Sequence, residues 1–227
     1  MSEIRTINLS KSVFEDNDNE ADLLRAYLKS KNLFLVNVMS SPGAGKTTTL
    51  ISLINRLSDR FRIGVMEADI DSDVDAVRVA GRTHCKSVQL HTGGMCHLDA
   101  AMTKQGLDGI GIDDLDLVFL ENVGNLVCPA EFDTGAHLNM TILSVPEGDD
   151  KPLKYPLIYQ KCDLVLINKI DAAPYFTFDL KKCVDNIKFR NNNSTVIPIS
   201  AKSGENLDVV VDYFIKKLSS GGKRDNA

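Results

Sequence analysis

The sequence lacks long apolar runs and has no excess of positive charge. No stretch of the 227 residues approaches the ~18–20 consecutive apolar residues of a membrane-spanning helix. The first residues also lack the apolar core of a secretory signal peptide, so we expect a cytoplasmic protein with no membrane partner. The 31 acidic residues outnumber the 26 basic ones, and the net charge of −5 argues against nucleic acid as the main partner.

Cysteine is scarce, and its spacing does not suggest disulfides. The 5 cysteines are an odd number, and no two of them form a Cys-x-x-Cys pair. In a reducing compartment this pattern favours free thiols or metal ligands. The first cysteine is Cys85 and the first histidine is His84, so the N-terminal third of the chain contains neither of these soft metal ligands.

From residue 33 onward, apolar runs alternate with helical stretches. We predict strands at 33–39, 62–67, 86–91, 115–121, 139–145, 163–168 and 195–199. We predict helices near 47–58, 73–81, 97–105, 154–161, 177–190 and 206–218. Strands that are this uniformly apolar are typical of a parallel sheet buried on both faces, and the alternation implies right-handed crossovers. The predicted fold class is α/β, with a mostly parallel sheet flanked by helices.

A glycine-rich turn follows the first predicted strand. Residues 40–48 read SSPGAGKTT, and a helical stretch begins directly after them. This order is the context of a phosphate-binding loop, in which backbone N–H groups and a helix N-terminus face an anion. Lys46 would reach the β- and γ-phosphates, and the Thr47 hydroxyl would bind Mg²⁺, although Ser40 replaces the first glycine of the general motif. The candidate phosphate-binding residues are Gly43, Ala44, Gly45, Lys46, Thr47 and Thr48.

Two short motifs after later strands predict that the base is guanine. Residues 168–171 read NKID, and the Asp171 carboxylate can accept hydrogen bonds from the N1–H and 2-amino groups of guanine. Adenine offers neither donor in that arrangement, so it would leave a buried carboxylate unpaired. Residues 200–202 read SAK, and the Ala201 N–H would meet guanine O6. The candidate base-binding residues are Asn168, Lys169, Asp171, Ser200, Ala201 and Lys202.

These motifs divide the chain into three parts. We expect an acidic and helical N-terminal extension at residues 1–31, a P-loop GTPase domain at 32–219 and a disordered tail at 220–227. In the extension, Asn17 and Glu20 have the spacing of a capping box ahead of a short helix. That helix would either pack on the edge of the domain or serve as a docking arm for a partner.

Carboxylates at the ends of two predicted strands are candidates for magnesium binding and catalysis. Glu121 is followed by Gly124, whose N–H would approach the γ-phosphate. Asp69 would make an outer contact to the magnesium site, and Asp75 would position water. The candidate catalytic residues are Lys46, Asp69, Asp75 and Glu121, and the candidate Mg²⁺ ligands are Thr47, Asp69 and Glu121. No arginine is an obvious transition-state finger, so slow intrinsic turnover is expected.

Cys96, His97 and Cys128 form a second candidate metal site. Two thiolates and an imidazole suit Zn²⁺ or Ni²⁺. Three ligands do not close a structural zinc site, so a partner chain or water would have to complete it. Spacing alone leaves open the alternative that these cysteines are buried and unreactive.

Four segments together resemble the HypB family. They are 40–48 (SSPGAGKTT), 96–100 (CHLDA), 121–130 (ENVGNLVCPA) and 147–156 (EGDDKPLKYP), and the likeness extends from Leu33 to Leu218. HypB proteins are GTPases and metallochaperones that help to insert nickel into [NiFe]-hydrogenase. The resemblance implies a fold of the dimerising P-loop class that includes signal-recognition and MinD-type NTPases.

The resemblance also implies ligands and partners. It implies that Cys96, His97 and Cys128 bind Ni²⁺ or Zn²⁺ at or near the interface of a homodimer that depends on nucleotide and metal. The implied cofactors are GTP/GDP, Mg²⁺, and Ni²⁺ or Zn²⁺, and the implied partners are a hydrogenase precursor and other maturation proteins. Some relatives carry an N-terminal Cys-x-x-Cys-Gly-Cys site or a His-rich tract, both absent here, so neither nickel storage nor a separate tight N-terminal site is expected.

The nucleotide and metal motifs adjoin in the sequence, because Glu121, Gly124 and Cys128 lie within eight residues. We hypothesise that GTP reorders this segment, moves a thiolate and so changes both dimerisation and metal affinity. Such coupling must be reciprocal, with metal shifting nucleotide affinity by the same factor.

Three other functions compete with this interpretation. The urease accessory GTPase UreG has a Cys-Pro-His metal motif, whereas this chain has Cys96-His97 and a separate Cys128-Pro129. A small-molecule kinase would need an acceptor pocket and an arginine-rich lid, and it would not explain the NKID motif. A non-catalytic metal sensor gated by guanine nucleotide would differ from a chaperone by not delivering its metal.

Overall fold

The computed structural model describes the backbone of residues 9–69 and 74–220, with side chains for 14–69 and 79–219. The strands are β1 (Phe34–Ser40), β2 (Ile63–Asp69), β3 (Lys86–His91), β4 (Leu117–Glu121), β5 (Leu138–Ser144), β6 (Leu164–Asn168) and β7 (Thr195–Pro198). The helices are α1 (Leu9–Ser30), α2 (Lys46–Leu57), α3 (Val74–Thr83), α4 (Ala100–Ile110), α5 (Cys128–Glu131), α6 (Lys151–Lys154), α7 (Pro156–Lys161), α8 (Leu180–Arg190) and α9 (Leu207–Ser220). Short 3₁₀ turns follow β5 at Val145–Glu147 and β6 at Ile170–Tyr175.

The strands form one sheet in the order β3-β2-β4-β1-β5-β6-β7. Each strand pair in it is parallel. The α/β prediction is therefore confirmed, and the seven predicted strands are present with their ends shifted by at most two residues. Because the carboxyl ends of parallel strands meet at one edge, the predicted phosphate, base and carboxylate motifs share that edge.

Two apolar layers bury the sheet. Val36 and Val38 of β1 face the layer that contains α2 and α9. Leu35 faces the opposite layer with α1 and α4, and Met39 packs further along that face with α7 and α8. Both faces of the central strands are thus covered, which explains why these strands read as continuous apolar runs.

The N-terminal helix is longer than predicted, and the predicted capping box is wrong. Helix α1 has 22 residues and begins at Leu9, so Asn17 lies in its interior and not at its start. Leu24 and Leu28 are buried in the core cluster beside α4. Helix α1 therefore packs on the domain, which was the first of the two alternatives predicted for the N-terminal extension.

Two other helices begin later or break where the sequence predicted continuity. Helix α4 begins at Ala100, because the Asp99 side chain caps it by accepting a 2.8 Å hydrogen bond from Met102 N. The helix predicted near 154–161 is divided into α6 and α7. Tyr155 separates them because the following residue is Pro156, which disfavours helical backbone at the position before it.

Some predictions concern residues that lie outside the described part of the chain. These are the tail beyond Ser220 and position 73, the first residue of the helix predicted at 73–81; for Asp75 only the backbone, in α3, is described. Within the described residues, no helix combines the length and apolarity that a membrane crossing requires.

Candidate functional site

The glycine turn after β1 has the geometry of a phosphate-binding loop. Gly43 and Gly45 adopt φ values of 77° and 100°, a left-handed conformation that side chains rarely tolerate. Gly45 directly precedes α2, which begins at Lys46. The Lys46 Nζ lies 3.2 Å from Ser40 Oγ. The loop therefore turns its backbone around the N-terminus of α2, where an anion is favoured.

Asn168 joins this loop to the predicted base-binding motifs. Its side-chain Nδ2 donates to the Ala44 carbonyl at 2.9 Å. Its Oδ1 accepts from Lys169 N at 2.8 Å and from Ala201 N at 3.0 Å. A Cβ at Gly45 would lie 2.5 Å from Asn168 Nδ2, so only glycine fits there. The amide of Asn168 is thus a structural junction between three loops.

The remaining base-motif residues surround this junction. The Asp171 carboxylate accepts a 2.7 Å hydrogen bond from Ser200 Oγ, which fixes one of its oxygens. Lys169 has a left-handed backbone, with φ of 64°, and its Nζ donates to the Gly43 carbonyl at 2.6 Å. Lys202 is exposed beside Ala201. The NKID and SAK segments, which are separated by 28 residues in sequence, therefore lie together beside the phosphate loop.

A polar cavity of about 450 Å³ opens between the phosphate loop and the ends of β2, β3 and β4. Glu67, Gln89 and Glu121 line it side by side, because Glu67 is the register partner of both other residues. Thr47 Oγ1 donates to Glu121 Oε1 at 3.1 Å. Asp69 also lines the cavity, at the end of β2. Hydroxyl and carboxylate oxygens are the ligands that Mg²⁺ prefers, so this donor set fits that ion.

The segment after Glu121 contacts the phosphate loop directly. A Cβ at Gly124 would lie 3.2 Å from Pro42 Cγ, so the backbone passes close to that residue. The neighbouring Asn122 is fully buried, and its Nδ2 donates to Asn37 Oδ1 at 3.1 Å. The Asn37 amide in turn donates to Asn139 Oδ1 at 3.0 Å. This buried amide chain fixes the segment to β1 and β5.

Glu147 supports the phosphate loop from the other side. One of its carboxylate oxygens accepts from Ser41 Oγ, and the other accepts from the N and Oγ of Ser144, each at 2.8 Å. Lys151 Nζ lies 3.8 Å from the same carboxylate. Glu147, the first residue of the segment EGDDKPLKYP, therefore anchors the phosphate loop at Ser41.

The two predicted metal-binding cysteines lie together. The neighbouring thiol of Cys128, more than burial, raises the pKa of Cys96, so the two side chains lie within reach of each other. Cys128 begins α5, and Cys96 lies before α4. The fold thus brings together two cysteines that are 32 positions apart in the sequence. With both thiols deprotonated, a divalent cation could bind the two sulfurs.

His97 lies at the edge of this pair. Its Nδ1 is 3.9 Å from Cys96 Sγ. Its ring stacks on Phe132, with 3.9 Å between centroids and 11° between planes. Burial lowers the pKa of His97, which favours the neutral imidazole that a metal ion requires. Among the described residues of one chain, no group of three His, Cys, Asp or Glu side chains is already arranged as a metal site.

Comparison with known proteins decides the family. The family model of the CobW/HypB/UreG nucleotide-binding domain matches residues 34–198. The hydrogenase maturation factor HypB of Escherichia coli strain K12 is 41% identical over 214 residues, which cover 94% of this chain and 73% of that protein. The chain belongs to the HypB family.

Solved structures agree with that assignment. The crystal structure of HypB from Helicobacter pylori in complex with nickel matches this HypB-family chain with a TM-score of 0.86 at 32% identity, covering 93% of this chain and 99% of that one. The signal recognition particle 54 kDa protein of Aeropyrum pernix K1 matches with a TM-score of 0.56 at 12% identity, covering 83% of this chain and 50% of that one. The second likeness shows the fold alone, and it confirms the predicted class of P-loop fold.

Several site residues of this HypB-family chain were not predicted. Glu67 and Gln89 line the polar cavity, and Glu147 supports the phosphate loop through its contact with Ser41. Glu67 carried a signal, since it is the one charge in the predicted strand 62–67 beyond its first residue. Gln89 carried none, because its proximity to the loop depends on strand register. Glu147 begins the segment 147–156 that resembles the HypB family, but its contact with the loop is long-range and could not be predicted.

Proposed function

We propose that this HypB-family chain is a GTP-hydrolysing metallochaperone of the cytoplasm that binds Ni²⁺, and also Zn²⁺, and assists nickel insertion into [NiFe]-hydrogenase. The single observation that carries the proposal is that the fold brings the thiols of Cys96 and Cys128 together. Cys128 lies on the same segment as Glu121, which lines the nucleotide cavity. One short segment thus contributes to both chemistries.

Guanine recognition would rest on Asp171. Its carboxylate would accept the two N–H groups of guanine, while Ser200 holds it in place. Ala201 N donates to Asn168 Oδ1 at 3.0 Å, so this N–H would have to turn from Asn168 to meet guanine O6 as predicted. A site built to pair a carboxylate with two donors rejects a base that lacks them.

Hydrolysis would depend on positioning and charge stabilisation around the γ-phosphate. Backbone N–H groups of residues 43–48 and the ammonium of Lys46 would bind the phosphates. Thr47 and Glu121 would hold Mg²⁺, with Asp69 at the rim; the ion supplies charge neutralisation of the phosphates. Gly124 would donate its N–H to the γ-phosphate, and Asp75 would orient the attacking water, with slow intrinsic turnover.

The cargo metal would bind at the thiol pair. Deprotonated Cys96 and Cys128 with neutral His97 offer soft and borderline donors that suit nickel or zinc. These predicted ligands number three, so a second copy of the chain or water would complete the site. The HypB resemblance implies a homodimer that depends on nucleotide and metal. The nickel complex of the Helicobacter pylori relative supports this choice of cargo. A hydrogenase precursor and other maturation proteins are the expected partners.

Two alternatives differ in the fate of the metal. UreG-like delivery would direct nickel to urease, and a metal sensor would bind nickel without delivering it. Transfer of ⁶³Ni to purified apo-hydrogenase precursor, in the presence of GTP, supports the chaperone. Retention of the label by this chain favours the sensor, and transfer to apo-urease alone favours the UreG-like role.

The direct test of the metal site is nickel titration of the chain and of single-cysteine variants. We expect Cys96→Ala and Cys128→Ala each to lose most Ni²⁺ affinity while GDP affinity stays nearly unchanged. Cys85→Ala is the matched control, since Cys85 hydrogen-bonds to Thr83 and not to either predicted ligand. Unchanged Ni²⁺ affinity in both test variants would contradict the assignment. Phosphate release from GTP but not from ATP tests the enzyme.

A further inference from the structure

Helix α1 contacts both of the segments that carry the predicted metal thiols. The link is Asn17, which is 8% exposed. Its Nδ2 donates to the Asp133 carbonyl at 3.0 Å, just after the α5 segment that begins with Cys128. Its Oδ1 accepts from Ala100 N at 3.0 Å, at the start of the helix that follows Cys96 and His97. One side chain therefore bridges two segments that lie far apart in the sequence.

Aromatic contacts extend the same support to His97. Phe14 of α1 packs against Phe132, with 4.9 Å between ring centroids. Phe132 stacks on the His97 imidazole. The histidine ring thus stacks on Phe132, and Phe132 packs in turn against Phe14 of helix α1 at a tilt of 42°. Stacking fixes the plane of the imidazole, and hence the directions in which its two nitrogens point.

A third contact fixes helix α1 to the segment after Cys128. Arg25 pairs with the Asp133 carboxylate at 2.6 Å and donates through Nε to the Ala136 carbonyl at 3.3 Å. This contact reaches only one of the two thiol-bearing segments. Asn17 alone of these side chains joins that segment directly to the backbone at Ala100.

We propose that helix α1 is part of the metal site, with Asn17 as a positioning residue that sets the separation of Cys96 and Cys128. The proposal rests on the metal-binding function proposed above and extends it to the N-terminal extension. The Asn17 bridge uses no metal ligand, so it holds the two segments both with and without bound metal.

Neighbours that orient metal ligands have a recognisable effect when they are removed. Such substitutions weaken metal affinity by about 10- to 100-fold without touching a ligand. If helix α1 only stabilised the fold, any weakening of the helix would have the same consequence as loss of Asn17. The two roles therefore differ in whether the effect is specific to the bridge.

The experiment compares Asn17→Ala with Leu28→Val in the full chain. Leu28 is a fully buried residue of the same helix, 11 positions further along, and its shortening weakens helix packing without touching the bridge. Ni²⁺ affinity is measured by calorimetry, together with the nickel–thiolate charge-transfer absorption, GDP affinity and melting temperature. We expect Asn17→Ala to bind Ni²⁺ about tenfold or more weakly with altered absorption and unchanged GDP affinity. Leu28→Val should lower the melting temperature and leave nickel binding intact.

Two further variants keep the test decisive if Asn17→Ala folds poorly. Phe132→Ala removes the support of His97 and should alter the nickel absorption, whereas Phe132→Tyr retains the ring and should restore it. Equal nickel affinities in Asn17→Ala and wild type, or equal losses in Asn17→Ala and Leu28→Val, would overturn the proposal. Failure of the metal-site assignment is recognised separately, because then the wild type and Cys128→Ala would bind Ni²⁺ alike.

Discussion

The side-chain amide of Asn168 donates a 2.9 Å hydrogen bond to the backbone carbonyl of Ala44. The phosphate loop and the NKID segment are 124 positions apart, yet this bond holds them together. Two backbone N–H groups, of Lys169 and Ala201, bond to the other end of the same amide. The shape of the nucleotide site therefore depends on one buried side chain that contacts three loops.

Removing that amide should damage both stability and nucleotide binding. Asn168→Ala removes the partner of three backbone groups, those of Ala44 and Ala201 buried and that of Lys169 half-buried. At about 1 kcal/mol for each bond it should lower the free energy of unfolding by about 2–4 kcal/mol. Asn168→Asp keeps the acceptor for Lys169 and Ala201 but cannot donate to Ala44. We expect both variants to bind GDP at least tenfold more weakly in calorimetry. Wild-type GDP affinity in the aspartate variant would show that the bond to Ala44 is unimportant.

The two loop glycines should differ in their tolerance of a methyl group. Both have positive φ, so alanine at either position costs about 1–2 kcal/mol of backbone strain. A Cβ at Gly45 also meets Asn168 Nδ2 at 2.5 Å, whereas a Cβ at Gly43 meets no atom within 4 Å among the described residues. Gly45→Ala should therefore lose GDP binding far more than Gly43→Ala, as measured by fluorescent-nucleotide titration. Equal losses would mean that strain alone matters.

Base preference should follow the carboxylate of Asp171. Asp171→Asn reverses the hydrogen-bonding requirement at that position, so the variant should bind xanthosine triphosphate in preference to GTP. Ser200→Ala is the control, because it removes only the 2.7 Å bond that orients the carboxylate. It should weaken GTP binding several-fold, as expected for one bond to a charged group, without changing the preferred base. Competition binding measures both, and a GTP preference in Asp171→Asn would refute the guanine assignment.

Stability should fall in mild acid partly because of His137. Its Nδ1 accepts a 3.1 Å hydrogen bond from Leu35 N, and burial, together with the nearby charge of Arg25, lowers its pKa below the usual 6.5. The unfolded chain therefore binds the proton first as pH falls. The contribution of His137 is complete above pH 6.5 and is lost as pH drops toward the folded pKa.

His137→Asn tests this pH dependence. Asparagine cannot take up a proton in this range, and its Oδ1 takes the place of the Nδ1 that accepts the Leu35 N–H. We expect urea unfolding between about pH 7.5 and 5.5 to show a smaller loss of stability in the variant than in the wild type. Identical pH dependence in the two proteins would rule out His137 as the titrating group, since other groups contribute equally to both.

The parts of the molecule that could be predicted from sequence are those set by local pattern. The strands were evident because both faces of each central strand are buried, and the phosphate and base motifs lie on contiguous residues. Asn17 was misread because its partners, Asp133 and Ala100, are non-local; a polar residue that looked like a cap is a buried bridge. Gln89 and Glu147 were missed for the same reason, since register and tertiary contact place them at the phosphate loop.

The measurement that tests the account most directly is nickel affinity in two nucleotide states. Calorimetry of the chain with GDP and with a non-hydrolysable GTP analogue, each with Mg²⁺, gives the two dissociation constants. Because Glu121 and Cys128 share one segment, we predict that the two nickel dissociation constants differ about fivefold or more. Ni²⁺ should then shift the affinity for the analogue relative to GDP by the same factor. Equal nickel affinities in the two states would contradict the coupling of the nucleotide and metal sites.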